Sequence, residues 1–326
     1  MAIKQIKLDG IRTDIPLKGI VLIAGESATL TPSIVENRPW YDSGFVHYSS
    51  GRYAQVVIDW LDPTTSRKDP DYWWPDRGMM HYEENCFRRF WEWYKEREDI
   101  ENELNFDTPG YRDYRLEAVR QVVLDILGVR SLRIRRGAYK VVVGNGGSEV
   151  DYNHLPQGDR CLIAMLGDMV RNFIEGIHEL NPFESEYTVL IDEIELHLPP
   201  KRQHGLIDKL TKAFPKCQFI LTTNSPIIVG QVKPERVFVV GGSGGWYHPE
   251  ESYGREYQRI LVDLFGTDER LPHIKQGLLE MFRLIDAGKL DEGRELRHQL
   301  AGEIGGGDSS FVKADMLIRR KELIGK

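Results

Sequence analysis

Residues 187–193 read Tyr187-Thr188-Val189-Leu190-Ile191-Asp192-Glu193, an apolar run closed by two adjacent carboxylates. Five residues of this kind predict a strand of a parallel sheet, buried on both faces. The end of such a strand holds its last side chains rigidly. Paired carboxylates there suit phosphoryl chemistry: the first holds Mg2+ through water, and the second orients or deprotonates an attacking water. Acidic residues also cap ordinary strands, so the reading rests on what surrounds these seven residues.

Thirty-five residues before Glu193, Gly158 stands in Leu155-Pro156-Gln157-Gly158-Asp159-Arg160, at the start of a long helical pattern. A polar, glycine-containing loop at a helix N-terminus suits an anion, because unpaired N–H groups and the helix dipole point at it. Twenty-nine residues after Glu193, the apolar run 218–221 ends in Thr222-Thr223-Asn224-Ser225-Pro226. The predicted order over this half is helix 157–180, strand 187–191, helix 200–213, strand 218–222 and strand 236–240. That alternation implies a parallel sheet covered by helices.

Further out, strands are expected at 3–8, 19–25 and 55–60, with a proline-containing surface loop at 63–75. Phe87, Phe90, Trp91 and Tyr94 recur at i, i+3, i+4 and i+7 and predict one buried aromatic face of a helix. A second helix is expected at 114–127. Strands follow at 131–136 and 138–143, with a glycine-rich hairpin turn at 144–147 leading into 149–152. The charged tail predicts helices at 257–265, 272–287, 290–303 and 310–323, the last two able to form a small hairpin.

A net charge of −7 and a pI near 5.8 exclude nucleic-acid binding through overall positive charge. Arg88, Arg89, Arg130, Arg133, Arg135 and Arg136 are the nearest approach to a basic patch. They read first as a solvated face, and otherwise as a surface for phosphates or an acidic partner. Cys86, Cys161 and Cys217 are scattered, so neither a disulfide framework nor a zinc site is encoded. With no run of eighteen apolar residues, the expected setting is cytoplasmic, without membrane contact.

Taken together, the motifs resemble those of the ATP-binding-cassette and SMC-like ATPases of the RecF and OLD type. The family's L-S-x-G signature is matched by Leu155-Pro156-Gln157-Gly158. Its strand-D-E element with E-x-H-L-H-P is matched by Leu190-Ile191-Asp192-Glu193 and Glu195-Leu196-His197-Leu198-Pro199-Pro200. Its T-T-H-S-P switch is matched by Thr222 to Pro226. Over roughly residues 85–326, including Ser252-Tyr253-Gly254-Arg255 and the helical tail, the chain is similar to the ATPases of bacterial anti-phage modules such as Septu and some retrons.

The resemblance implies a head-to-tail dimer with ATP between the phosphate loop of one subunit and the signature of the other. It also implies coupling to a nuclease, such as an HNH protein, or to another DNA-handling partner. By this carry-over Asp192 is the metal residue, Glu193 and Asn224 the catalytic positions, and Leu155, Gln157, Gly158 and Asp159 the cofactor-binding ones. His197 with Glu193 and Glu195 reads as a turn following the strand, with a metal cluster as the alternative.

Several residues depart from the pattern. No G-x-x-x-x-G-K-[ST] phosphate loop is found: the run 20–24 leads into Gly25-Glu26-Ser27-Ala28-Thr29-Leu30, without the second glycine or the lysine. Pro156 replaces the signature serine, Asn224 the switch histidine, and Pro199 a histidine after the acidic pair. Losing one such stabiliser costs on the order of 100-fold in rate.

The expectation is therefore an α/β, ABC-ATPase-like sandwich. It would have a mixed N-terminal sheet, a parallel lobe carrying the acidic strand, a helical insertion over 83–127 and a helical tail. The ATPase-like domain is expected to span 1–250 and the appendage 251–326. The function expected is an ATPase-fold subunit of a bacterial anti-phage or DNA-processing complex, with a degenerate nucleotide site. It would act as an oligomeric scaffold, a dimer or higher, for a nuclease, and nucleic acid would be reached through the complex. ATP and Mg2+ are the cofactors if the site is competent. The alternative is an active Mg-dependent ATPase whose phosphate loop is atypical or supplied in trans. A nuclease in its own right would need a further acidic metal cluster, and the acidic residues of the tail, Asp286, Asp291 and Glu292, read as solvated helix faces.

Overall fold

The computed structural model describes residues 5–8, 11–16, 18–25, 45–48, 87–177, 181–240 and 245–324. The expected strand at 55–60, the loop at 63–75, the residues following Gly25 and Cys86 lie outside them. The chain divides into two compact units, Met1–Ile260 and Leu261–Lys326.

The first unit is organised by a six-stranded sheet. Its strands are β3 (Gly19–Ala24), β4 (Phe45–Tyr48), β8 (Thr188–Ile191), β9 (Gln218–Thr223), β10 (Val237–Val240) and β11 (Trp246–Tyr247), in the order β11-β10-β3-β9-β8-β4. All neighbours are parallel except β11, which closes the edge antiparallel to β10. Every residue of β8 and β9 is buried, the apolar runs 189–191 and 219–221 together with the polar Thr188, Gln218, Thr222 and Thr223. The strand at 19–24 lies inside this parallel sheet, between β9 and β10, and not in a sheet of its own. β1 (Gln5–Leu8) and β2 (Ile11–Asp14) form a separate antiparallel pair.

Because the period of a strand is two, the register sorts its side chains. Val21, Ile23, Leu190, Ile220 and Phe238 form one face with Ile15, joined by Val240 and Trp246. On the opposite side α3 (Gln157–Ile177) covers the sheet. Its Phe173 packs on Tyr187 and Phe214 at centroid distances of 4.3 and 5.4 Å, and its Asp168 receives the Tyr48 hydroxyl at 3.0 Å.

The aromatic stripe forms as its spacing predicts. α1 (Arg88–Asp107) buries Phe90, Trp91 and Tyr94 completely, with Phe87 at its start. Trp91 meets Tyr152 edge-on at 4.9 Å, and the Phe90 ring lies where any Cβ at position 167 would stand, so Gly167 is what lets α1 approach α3. α2 (Tyr114–Leu127) matches its expected limits because both ends are signalled. Asp113 caps the N-terminus by accepting from the Arg115 N–H, and Gly128, at φ 76°, ends the helix.

β5 (Ser131–Arg135), β6 (Lys140–Gly144) and β7 (Glu149–Asp151) form an antiparallel sheet. The turn before β7 uses Gly146 and Gly147 at positive φ, so this glycine cluster is a hairpin. The single helix expected at 200–213 is broken. α4 (Pro200–Gln203) and α5 (Leu206–Ala213) meet at Gly205, whose φ of 74° no continuous helix accommodates. α6 (Pro226–Val229) follows β9, and α7 (Tyr257–Phe265) follows β11.

The second unit contains α8 (Pro272–Asp286), α9 (Leu290–Ile304) and α10 (Ser309–Ile324) around Met281, Ile285, Leu300, Phe311 and Ile318. The last two helices are tied by ion pairs from Arg297 to Asp315, at 2.7 Å, and from Arg294 to Glu322.

Candidate functional site

Parallel pairing brings the carboxyl ends of β3, β8 and β9 to one edge of the sheet. The register Ala24↔Thr223 and Ile191↔Leu221 sets Gly25, Asp192, Glu193 and Asn224 along it. In open parallel sheets, ligands bind outside this edge where the strand order reverses. The reversal here is at β3, whose two neighbours β9 and β10 are both late strands of the chain.

Gly25 has φ 136°, and a Cβ there would stand 2.4 Å from the Val240 carbonyl oxygen. Only glycine fits at this buried strand end.

Asp192 is 6% exposed. Its N–H donates to the Tyr48 carbonyl at 2.9 Å, and its Oδ2 lies 3.2 Å from His47 Nε2. Glu193 is half-buried and held in the left-handed region at φ 46°. The conformation is sustained from β9: the Glu193 N–H donates to the Thr222 hydroxyl at 2.8 Å, and the Ile194 N–H to the Thr222 carbonyl at 3.0 Å. A non-glycine residue at positive φ costs on the order of 1 kcal/mol and persists where its neighbours enforce it, commonly at functional sites. His197 is the second such residue in this loop, at φ 62°.

The loop after β8 is laced to the switch segment by Glu195. Its Oε2 accepts from the Thr223 hydroxyl and its Oε1 from the Asn224 N–H, each at 2.7 Å. Asn224 is exposed beside it. Ser225 caps α6, accepting from the Ile227 and Ile228 N–H groups, and donates its hydroxyl proton to Gln203 at 2.6 Å. Glu193, Glu195 and His197 thus form a turn and not a metal cluster. Among the described residues, no group of three or more His, Cys, Asp or Glu side chains could hold a metal ion.

The signature-like segment reaches the same loop from the other side. Gly158 is buried, and a Cβ there would lie 2.4 Å from the His197 carbonyl oxygen. The N-terminus of α3 therefore rests directly on the backbone that follows the acidic pair. Asp159 is committed to Arg202 at 2.9 Å, Gln157 and Arg160 are hydrogen-bonded to each other, and Leu155 is half-buried. The α2 C-terminus is satisfied from the same region. The Ile126 carbonyl accepts from Lys209 Nζ and the Leu127 carbonyl from Arg202, which also suits the helix dipole.

The structure therefore gathers Asp192, Glu193 and Asn224 on one sheet edge and places Gly158 against the loop behind them. For three contributors the sequence did not show the contacts found here. Thr222 and Glu195 stand inside the quoted motifs, where hydrogen-bonding residues flanking an acidic pair are the available signal. His47 carries no local signal, since only the pairing of β4 with β8 brings it to Asp192.

The other candidates resolve simply. Arg133 and Arg135 share an exposed strand face, both paired with Glu149, while Arg136 turns to Glu98 and Asp99. Cys161 and Cys217 are buried, and burial pushes the Cys217 thiol up to about 12, which removes it as a nucleophile.

The donor chemistry of the edge fits a hydrated magnesium ion: one carboxylate anchored at the strand end, Asp192, followed directly in the chain by a second, Glu193. The segment that would complete a phosphate loop lies outside the described residues.

No protein-family model matches the chain. It is related in sequence to curated proteins of the kind the motifs suggested. It is 27% identical over 199 residues to the "Retron Ec83 probable ATPase" of Escherichia coli, covering 60% of this chain and 37% of that protein. It is 37% identical over 125 residues to the "Retron Vc95 probable ATPase" of Vibrio cholerae, covering 38% and 24%. It is 24% identical over 199 residues to the "Septu protein PtuA" of Bacillus thuringiensis, covering 57% and 50%. The chain thus spans half the length, or less, of these curated relatives. Among solved structures, the "SMC head domain from Thermotoga maritima" aligns with 48% of this chain and 52% of that one, with a TM-score of 0.31 and 14% identity. No helix among the described residues is long and apolar enough to cross a membrane.

Proposed function

We propose that this chain is the ATPase-fold subunit of a bacterial anti-phage or DNA-processing complex. Its nucleotide site is reduced in catalytic power, and it works chiefly as an oligomeric scaffold presenting a nuclease. The relatives named as retron ATPases and a Septu protein support the setting.

One observation carries the reduced site. The switch position is filled by Asn224, which meets the acidic loop through its backbone N–H on Glu195, where the related motif has a histidine side chain. Pro156 at the signature offers no hydroxyl, and no lysine follows Gly25 in a phosphate-loop pattern.

Asp192 and Glu193 follow β8 at the carboxyl edge of the sheet, which supports a nucleotide role for them. Asp192 would hold magnesium through water, and Glu193 would orient or deprotonate the attacking water at its side chain. Magnesium and a nucleoside triphosphate would supply the electrophilic phosphorus and neutralise its charge. The held left-handed backbone of Glu193 favours a second reading, an active ATPase whose phosphate grip is atypical or comes from another subunit.

Equilibrium binding of ATP with Mg2+, turnover, and sedimentation of the purified chain separate the two. A scaffold assembles identically with and without nucleotide, and its turnover does not respond to Glu193→Gln. Binding lost in Asp192→Ala, together with turnover lost by about 100-fold or more in Glu193→Gln, establishes the active enzyme instead.

A further inference from the structure

The edge that carries Asp192 holds a second potential metal donor, His47, which no motif includes. β4 pairs in parallel with β8 in the register His47↔Leu190 and Tyr48↔Ile191. Alternation therefore sets His47, Leu190 and Asp192 on one face and Tyr48 on the other.

Both side chains are fixed at their roots. The Tyr48 hydroxyl donates to the buried Asp168 of α3 at 3.0 Å, and the Tyr48 carbonyl accepts the Asp192 N–H at 2.9 Å. The result is a histidine Nε2 and a carboxylate Oδ2 that lie 3.2 Å apart, with the His47 side chain 24% exposed and open to solution.

That separation has a chemical meaning. Two ligands bonded to one divalent ion at about 2.1 Å lie about 3.0 Å apart at an octahedral angle and about 3.4 Å apart at a tetrahedral one. The pair sits between these values. Its chemistry is mixed: carboxylate oxygen suits magnesium and manganese, imidazole nitrogen suits the later first-row metals, and Mn2+ is the oxygen-preferring ion that also takes a nitrogen ligand.

We propose that His47 and Asp192 together ligate a divalent transition-metal ion, of the manganese class, at the carboxyl edge of the sheet. This rests on the reading of Asp192 as the metal residue and alters it in one respect: the ion is bonded directly to the carboxylate instead of being held through water. His47 binds through the Nε2 lone pair, so its ring proton resides on Nδ1 in the bound form, and the hydrogen bond to Asp192 is exchanged for two metal bonds. With two protein donors, the remaining positions fall to water and to phosphate oxygens, which makes the site exchangeable and not structural.

The test is Mn2+ alone, titrated into the full chain and followed by electron paramagnetic resonance, with electron-spin-echo modulation to detect a coordinated nitrogen. Wild type, Asp192→Ala, His47→Ala and His47→Gln are compared, each checked for an unchanged thermal melt. The expected result is Mn2+ binding that weakens about tenfold or more in both His47 variants, with the 14N signal lost in both. Gln can keep the hydrogen bond to Asp192 but supplies no imidazole, so a positioning role would be rescued by His47→Gln.

Binding that needs Asp192 but shows no His47-dependent nitrogen signal overturns the His47 assignment and leaves the Asp192 reading standing. Binding indifferent to Asp192, or no binding at millimolar Mn2+, overturns both.

Discussion

The hydroxyl of Thr222, on β9, accepts the backbone N–H of Glu193, on the loop after β8, at 2.8 Å. A residue of one strand thus fixes the left-handed backbone of the catalytic candidate on its neighbour. Replacing Thr222 with Val removes the acceptor and leaves the Glu193 N–H without it. Destabilisation by about 1–3 kcal/mol is expected in urea unfolding, whereas Thr222→Ser, which keeps the oxygen, stays within about 1 kcal/mol of the wild type.

The pair of helices α1 and α2 is held by buried charge. Arg120 reaches both Glu101 oxygens, at 2.8 and 3.0 Å, and lies 3.6 Å from Glu98. The two carboxylates are 3% and 4% exposed. Arg120→Met should cost about 3–5 kcal/mol, because it leaves the buried Glu101 carboxylate without its cation, whereas Glu98 keeps Arg136 at 2.7 Å.

Their responses to acid differ in sign. Burial raises the Glu98 carboxyl above its usual range, against its hydrogen bonds from Ile134 and Arg136. Burial also pushes Glu101 up, but the hydrogen bonds and charge of Arg120 outweigh it and hold that carboxyl low. The Glu98 contribution is therefore present below its unfolded value near 4.5 and lost as pH rises through its raised folded value. Chemical denaturation across pH 4 to 7 should show the stability of Glu98→Gln improving, relative to wild type, as pH rises.

In the second unit, Asp308 sits between a bidentate Arg270, at 2.7 and 3.1 Å, and the Ser310 N–H at the start of α10. These hydrogen bonds lower its carboxyl to about 2. A depressed carboxylate stabilises above its unfolded value, 3.8, and its contribution is lost as pH falls towards 2. Protection of the α10 amides, as exchange normalised to the intrinsic rate at each pH, should fall over that interval in the wild type, and that fall should disappear in Asp308→Asn.

Local chemistry explains which parts of this architecture can be read from sequence. The limits of α2 are legible because Asp113 and Gly128 signal both ends, and α1 because four aromatics keep helical spacing. The motifs around Asp192, Glu193, Gly158 and Asn224 are legible as words. Their meeting is not, because strand order is written in pairings between distant residues. The break at Gly205 escapes notice because a lone glycine is tolerated within a helical run, and 201–204, all polar, carry no apolar spacing that the break could interrupt. His47 escapes because a lone histidine in a four-residue strand looks like any edge residue until β8 lies beside it.

The position of β3 has a consequence for biosynthesis. Its two partners in the sheet, β9 and β10, are encoded roughly 200 residues downstream, with Gly19 facing Gln218 and Leu22 facing Val237. At about 5–20 residues per second, a ribosome needs on the order of ten seconds or more to deliver them. Throughout that interval the apolar run Ile20 to Ala24 has neither neighbour, so the nascent chain carries a strand whose sheet edges are both still to be made.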